Sequence, residues 1–292
     1  MQITPFSAAA ARARRVAVGE FDGVHLGHRA VIAGNDTVVT FEPHPLTVVR
    51  PLSAPKLLTS FEIKAQLIAQ MGVQELVVVR FDDALAHQSP ERFIDDVLVR
   101  GLCATDISIG ENFRFGHLMR GNAALLGADQ RFATHVTGIV HRDGEPISST
   151  RIRRLVSEGE VELAAALLGA PFRIRGEVVG GDRRGRELGF PTANLIPDPA
   201  LVRPANGVYA SRVGEQLAAV NVGVRPTFDD GQGVLIEVFL LDFDGDLYGQ
   251  TLTVEFIARL RSEQRFESLE ALRAQIARDV QRTRELLASA AA

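Results

Sequence analysis

Arg15-Val16-Ala17-Val18-Gly19-Glu20-Phe21-Asp22-Gly23-Val24-His25-Leu26-Gly27-His28 is the stretch on which the reading of the amino-terminal half turns. A short apolar run breaks into a glycine-rich turn, and the turn opens a helix near Gly27. Working outward, further apolar, β-branched runs lie at Asp36 to Phe41, Glu75 to Phe81, Asp106 to Ile109 and Thr134 to Ile139. Amphipathic segments stand between them: Phe61 to Met71, closed by Gly72, and Pro90 to Arg100, closed by Gly101. Strands alternating with helices predict a parallel sheet with helices on both faces. Sites in such sheets lie beyond the carboxyl ends of strands, which is where Gly19 to His28 falls.

From Ser148 the pattern becomes helical, Arg151 to Ser157 and then Glu160 to Leu168, and it stops at Gly169-Ala170-Pro171. A domain boundary is expected there, giving units 1–169 and 170–292. Beyond it come six short alternating runs without intervening helices: Phe172 to Val179, Thr192 to Ile196, Val208 to Val213, Leu217 to Val222, Val234 to Leu241 and Thr251 to Phe256. Asp244-Gly245 marks a turn between the last two. A small six-stranded antiparallel β-barrel is predicted, closed by a helix from Ser268 to about Leu287. The fold class is thus α/β followed by β.

Composition narrows the function. With 292 residues, 46% of them hydrophobic, the chain is long enough for two cored domains. A net charge of -4 argues against a general nucleic-acid binder. Lys56 and Lys64 are the only lysines, so the positive charge is nearly all arginine. Cys103 is the single cysteine, which excludes an intramolecular disulfide and reads as a buried, inert thiol in a reducing compartment. The segment Ala8 to Arg15 runs straight into a strand without the apolar core of a targeting peptide. No run approaches the length of a membrane helix. A cytoplasmic protein with neither membrane nor nucleic-acid partner is expected.

His25 and His28 stand one helical turn apart and can aim at one point beside the helix amino terminus. Free N–H groups and the positive dipole end there attract a triphosphate, and Gly23 and Gly27 let the backbone approach it. Two imidazoles with N–H donors would stabilise charge developing on an α-phosphate, which makes nucleotidyl transfer the expected chemistry. The plainer alternative is a helix capped by Asp22 with two surface histidines. Three further segments fit the same site. Thr40-Phe41-Glu42-Pro43-His44-Pro45 directs His44 at phosphates or base; Gly110-Glu111-Asn112-Phe113-Arg114-Phe115-Gly116 offers rings that can stack on a planar ligand. Ile147-Ser148-Ser149-Thr150-Arg151-Ile152-Arg153 offers hydroxyls and an arginine as a pyrophosphate clamp.

In the second half, Thr192 and Asn194 fall on one face of a strand expected to begin at Pro191. A hydroxyl and an amide carbonyl are hard oxygen ligands suited to Mg²⁺ with a bridging phosphate. The preceding Gly180-Gly181-Asp182-Arg183-Arg184-Gly185-Arg186 suits a basic flap over ATP, or simply an exposed hairpin loop. Glu237 shares its strand face with Leu235 and Phe239. A carboxylate so placed costs several kcal/mol, roughly, unless it is paired or has a task. General base toward an alcohol is one such task; an edge strand with Glu237 facing solvent is the alternative.

Together these segments resemble the bacterial bifunctional riboflavin kinase/FMN adenylyltransferases, also called FAD synthetases. The resemblance is carried by the Gly19 to His28 turn, the Pro43-His44-Pro45 loop, Asn112-Phe113-Arg114-Phe115-Gly116 and Ser148-Ser149-Thr150-Arg151-Ile152-Arg153. In the second half it is carried by Gly185 to Asn194, Asn206-Gly207-Val208-Tyr209, Asn221 to Thr227, Glu237 to Tyr248 and Arg261 to Phe266. It implies a Rossmann-like nucleotidyltransferase domain that adenylylates FMN, and a barrel that phosphorylates riboflavin, with ATP and Mg²⁺. It further implies that His25 and His28 contact ATP phosphates within a turn formed by Gly19, Phe21, Asp22, Gly23 and Gly27. His44, Ser148, Ser149, Thr150 and Arg153 would hold the nucleotide, and Asn112, Phe113 and Phe115 the flavin. In the barrel, Gly185, Thr192 and Asn194 would bind Mg-ATP, Glu237 would activate the ribityl hydroxyl, and Arg261 would help close over the flavin. The segment from His28 to Thr40 is shorter than the resemblance leads one to expect, which predicts a sheet face less covered and a looser nucleotide pocket. A kinase with weak or lost adenylyltransferase, and a flavin- or nucleotide-binding module without turnover, remain the alternatives.

Overall fold

The computed structural model describes residues 1–180, 190–224 and 234–289. By packing, the chain forms two compact units, Met1–Pro55 with Phe61–Ser149, and Lys56–Ser60 with Thr150–Ala292.

The first unit is built on a six-stranded parallel sheet. Its strands are β1 (Gln2–Pro5), β2 (Arg14–Val18), β3 (Thr37–Glu42), β4 (Glu75–Arg80), β5 (Ala104–Gly110) and β6 (Ala133–Thr137), in the order β1-β4-β3-β2-β5-β6. Alternate residues of one strand feed opposite cores, as the period of two requires. Val16, Val18, Val39 and Val77 belong to one cluster with Leu98 and Phe93; Ala17, Val38 and Leu76 belong to the other, with Val31, Ile32, Ile63 and Ile68. Helix α1 (Leu26–Ile32) has only seven residues. It nevertheless places Val31 and Ile32 against the sheet, and α3 (Phe61–Ala69) completes the layer. Ala17, Val38 and Leu76 are fully buried there, so the short segment leaves that part of the face covered.

The remaining helices of this unit are α2 (Pro45–Val49), α4 (Asp83–Ala86), α5 (Pro90–Phe93) and α6 (Ala123–Gly127). The expected helix Pro90 to Arg100 does form, but from Ile94 to Gly101 it runs in π geometry. A two-strand hairpin, β7 (His141–Arg142) and β8 (Glu145–Pro146), precedes Ser149. Cys103 is half-buried at a positive φ of 49°, rather than packed away as its sequence context predicts.

In the second unit, β9 (Phe172–Val179), β10 (Ala193–Pro197), β11 (Gly207–Val213), β12 (Gln216–Val224), β13 (Val234–Leu240) and β14 (Thr251–Arg261) close into an antiparallel barrel ordered β10-β13-β12-β11-β14-β9. Val220, Val222, Ile236, Val238 and Val254 are essentially inaccessible and form its interior. Helix α9 (Leu269–Ser289) follows β14.

Helices α7 (Ser149–Glu158) and α8 (Val161–Leu168) lie on the sequence before the expected boundary, yet from Thr150 onward they pack with the barrel unit. The apolar side of α8, Val161, Ala164, Leu167 and Leu168, is buried, and the helix sits against β14 and β9. Gly169 is its left-handed C-cap, so the Gly169-Ala170-Pro171 signal marks a helix end.

Candidate active sites

The first site gathers at the carboxyl ends of β2, β3 and β5, where the strand order reverses on either side of β2. After Val18 the backbone turns through left-handed conformations at Phe21 (φ 53°) and Val24 (φ 43°), both buried. Strain of about 1–3 kcal/mol per such residue persists only where the surroundings enforce it. Here Phe21 sets its ring edge-on to His28 at 5.4 Å. His25, not Asp22, is the N-cap of α1: its Nδ1 accepts the backbone N–H of His28 at 3.2 Å. The two imidazoles stack with centroids 3.5 Å apart at the start of α1. A Cβ at Gly27 would stand 3.1 Å from the His25 ring, so a larger residue there would press on that imidazole. A Cβ at Gly19 would likewise meet the Phe21 ring at 2.9 Å. Asp22 and His25 are buried, and the carbonyl of Asp22 accepts from Ser149 Oγ at 3.0 Å. That bond fastens the Ser148-Ser149 segment to the turn carrying the histidines.

His44 repeats the device on β3. Its Nδ1 caps α2 by accepting from the N–H of Leu46 at 3.1 Å, and its side chain is buried. From β5, Asn112 is exposed and Phe113 half-buried. Phe115 belongs to the core, against Phe93, and its ring stacks on Phe113 at 5.5 Å. Phe113 is therefore the ring available to a ligand, and Phe115 backs it. Thr150 and Arg153 stand on α7 in the other compact unit, the first exposed and the second half-buried.

Sequence reading missed a charged cluster at this site. Lys64, 3% exposed, donates to Glu42 Oε1 at 3.2 Å, Glu20 Oε1 at 3.4 Å and Thr40 Oγ1 at 3.4 Å. Burial pushes the Glu20 carboxyl up to about 8; Lys64 pulls it back, while Glu42 and Asp22 add to the rise. Among the described residues its Oε2 is buried without a donor, which disfavours the ionised form. Only the scarcity of lysine in the sequence pointed to Lys64.

The second site lies on the outer face of the barrel. β13 runs between β10 and β12, so Glu237 is on a central strand and not an edge. The register sets Asn194 and Asn221 directly opposite it on the two neighbours. Directly paired residues share a face. Asn221 Nδ2 donates to Glu237 Oε2 at 3.0 Å. Asn194 is 8% exposed, and its Oδ1 is a buried acceptor that no described residue satisfies. A buried hard oxygen without a donor fits a metal or a ligand donor. Thr192 is exposed and stands before β10, which begins at Ala193. The edge of Phe190 packs on Phe239 at 5.3 Å, which ties the approach to β10 to the Glu237 face of β13. Gly185, with the flap from Gly181 to Arg186, and Arg225 to Thr227 lie outside the described residues. Arg261 is committed to Asp279 of α9, with contacts of 2.8–3.1 Å, and lies over the Phe266 ring. It thus anchors the segment leading into α9.

Family models match both halves: FAD synthetase over residues 7–151 and riboflavin kinase over residues 168–287. The bifunctional riboflavin kinase/FMN adenylyltransferase of Escherichia coli K12 is 41% identical over 286 residues, 92% of this chain and 91% of that protein. The chain belongs to the bifunctional riboflavin kinase/FMN adenylyltransferase family. It carries both an FAD synthetase and a riboflavin kinase domain. Members so named from Listeria monocytogenes and Bacillus subtilis are 39% and 38% identical, over 94% and 91% of this chain and 92% and 90% of theirs. A solved structure from Streptococcus pneumoniae described as a macrolide-efflux protein shares the fold, with a TM-score of 0.87 and 29% identity over 97% of this chain and 99% of that one. Among the described residues, no helix is long and apolar enough to cross a membrane.

Proposed function

We propose that the barrel transfers the γ-phosphate of Mg-ATP to the ribityl 5′-hydroxyl of riboflavin, and that the parallel-sheet domain then transfers AMP from a second ATP to the FMN formed, releasing pyrophosphate. The functional division is 1–169 for adenylyl transfer and 170–292 for the kinase, and the enzyme works in the cytoplasm. The observation that carries the kinase reading is the cross-strand row Asn194, Glu237, Asn221, a carboxylate flanked by two amides on one barrel face.

Glu237 serves as general base, taking the hydroxyl proton as that oxygen bonds to phosphorus and ADP leaves with the electron pair. Asn194, with Thr192, would hold Mg²⁺, which when bound neutralises charge on the transferring phosphate. Magnesium commonly keeps few protein ligands and shares its shell with phosphate, so an amide and a hydroxyl suffice. In the amino-terminal domain His25 and His28, with the α1 N–H groups, take up charge on the α-phosphate. Gly19, Phe21, Asp22, Gly23 and Gly27 shape that turn; His44, Ser148, Ser149, Thr150 and Arg153 hold the nucleotide, and Asn112 and Phe113, backed by Phe115, the isoalloxazine. Gly185 is assigned to ATP binding by the family pattern alone, and Arg261 fixes the segment that borders the flavin.

Purified protein given riboflavin and Mg-ATP should accumulate FMN and then FAD on chromatography. Glu237→Gln should lower FMN formation by about 10²- to 10⁴-fold while FAD formation from supplied FMN continues. Loss of both activities in that variant would refute two separate sites.

A further inference from the structure

Among the described residues, no cation pairs with Glu237. Its one side-chain donor among the described residues is the Asn221 amide, at 3.0 Å on Oε2. An ionised carboxylate only accepts hydrogen bonds, so Nδ2 is the atom that faces it. We propose that Asn221 is a positioning residue for the kinase step, holding Glu237 by one carboxylate oxygen so that the other faces the substrate hydroxyl. The proposal rests on the reading of Glu237 as general base.

The register makes the contact a property of the sheet. Asn221 and Glu237 are direct antiparallel partners on central strands, both half-buried, with Val220 and Val222 pinned in the barrel interior on either side of Asn221. Neither residue can slide along its strand without exposing core. An arginine in this place would also hold the carboxylate, but its fixed charge would favour the ionised form and weaken the base. A neutral amide orients Glu237 without bringing a charge to the site. One turn of the pleat further on, Gly223 keeps the same face open: a Cβ there would meet Glu263 Oε1 at 2.9 Å. Glu263, from the segment after β14, is a further charged group beside Gly223. It is restrained in turn, since its Oε2 accepts from Asn206 Nδ2 at 3.1 Å, and Asn206 Oδ1 accepts from Arg203 at 2.9 Å. Two carboxylates are thus each held by a neutral amide on one side of the barrel, with no cation directly paired to Glu237 among the described residues.

The test uses the full chain with Asn221→Ala and Asn221→Asp, reading kcat and KM for FMN formation separately. For Asn221→Ala, kcat for FMN formation should fall by about tenfold to hundredfold through misalignment, with KM for riboflavin and ATP within about twofold. For Asn221→Asp, which keeps the side-chain shape but removes the amide donor, kcat should fall at least as far as in Asn221→Ala, again with KM within about twofold. FAD formation from supplied FMN and the tyrosine-fluorescence unfolding midpoint report whether either variant still folds. An unchanged kcat in a folded Asn221→Asp protein, or a loss in Asn221→Ala confined to KM, would overturn the assignment. Full kinase activity in Glu237→Gln would instead overturn the general-base reading, and the assignment with it.

Discussion

Replacing Glu20 with glutamine should make the parallel-sheet unit less sensitive to pH. The Glu20 carboxyl is pushed up to about 8 in the folded chain against an ordinary 4.5, chiefly by burial. For an acid whose folded value is raised, the native state keeps a proton that the unfolded chain has released. Below about pH 4.5 both states are protonated and the group adds no pH dependence. Between there and about pH 8, stability falls as pH rises, by at most about 1.4 kcal/mol per unit; above, both states are ionised and the loss is complete. By neutral pH the loss approaches at most about 3 kcal/mol, reduced because the side chain is 23% exposed beside Lys64. Glutamine copies the protonated form and does not titrate. Urea unfolding of wild type and Glu20→Gln at about pH 5.5, 6.5 and 7.5 checks this, with the variant's relative stability expected to grow by up to about 1 kcal/mol per unit. The probes separate the units. Tyr209 and Tyr248, the only tyrosines in a chain without tryptophan, both lie in the barrel unit, so their fluorescence follows the barrel while circular dichroism follows both. A wild-type-to-variant gap that stays constant with pH would refute a protonated Glu20.

His28→Ala should lower FAD formation by about 10²- to 10³-fold while riboflavin phosphorylation continues, measured with FMN and with riboflavin as sole acceptors. Gly159 has a φ of +84°, and a Cβ would stand 2.9 Å from the Tyr209 hydroxyl, so Gly159→Ala should cost about 1–3 kcal/mol in the barrel's tyrosine-reported transition. Asp279→Asn removes the carboxylate that fixes Arg261, and should cost about 1.5–3 kcal/mol and raise the kinase KM for riboflavin. Stripping divalent metal with a chelator should stop FMN formation, and added Mg²⁺ should restore it.

Elements made by local pattern were legible in the sequence. All six barrel strands follow β-branched runs, and their observed bounds differ from the expected ones mainly at the ends, as at Thr192 and at the extension of β14 to Arg261. β1 escaped notice because Gln2–Pro5 is short and ends in proline; its pairing with β4 fixes it as an edge strand. The π geometry of Ile94–Gly101 leaves the same apolar spacing as a helix end and could not be read from it. Within the sites, residue types were legible and partners were not. Glu237 stood out as a carboxylate among Leu235 and Phe239, yet what surrounds it across the sheet is Asn194 and Asn221, brought there by register alone. The same is true of Lys64, whose partners Glu20 and Glu42 lie on segments more than twenty residues away. Capping of α1 fell to His25, because the turn through Phe21 and Val24 carries Asp22 away from the helix start.

The parity of β13 has a consequence for how this enzyme can change over evolutionary time. Ile236 and Val238 fill the barrel while Glu237 between them faces outward, so deleting one residue upstream in the strand would turn the carboxylate inward and a large aliphatic side chain into the site. Such a length change would disturb the barrel interior and the site together unless a bulge absorbed it. Drift in this strand therefore runs mainly through substitutions, and insertions or deletions are left to the connections between strands.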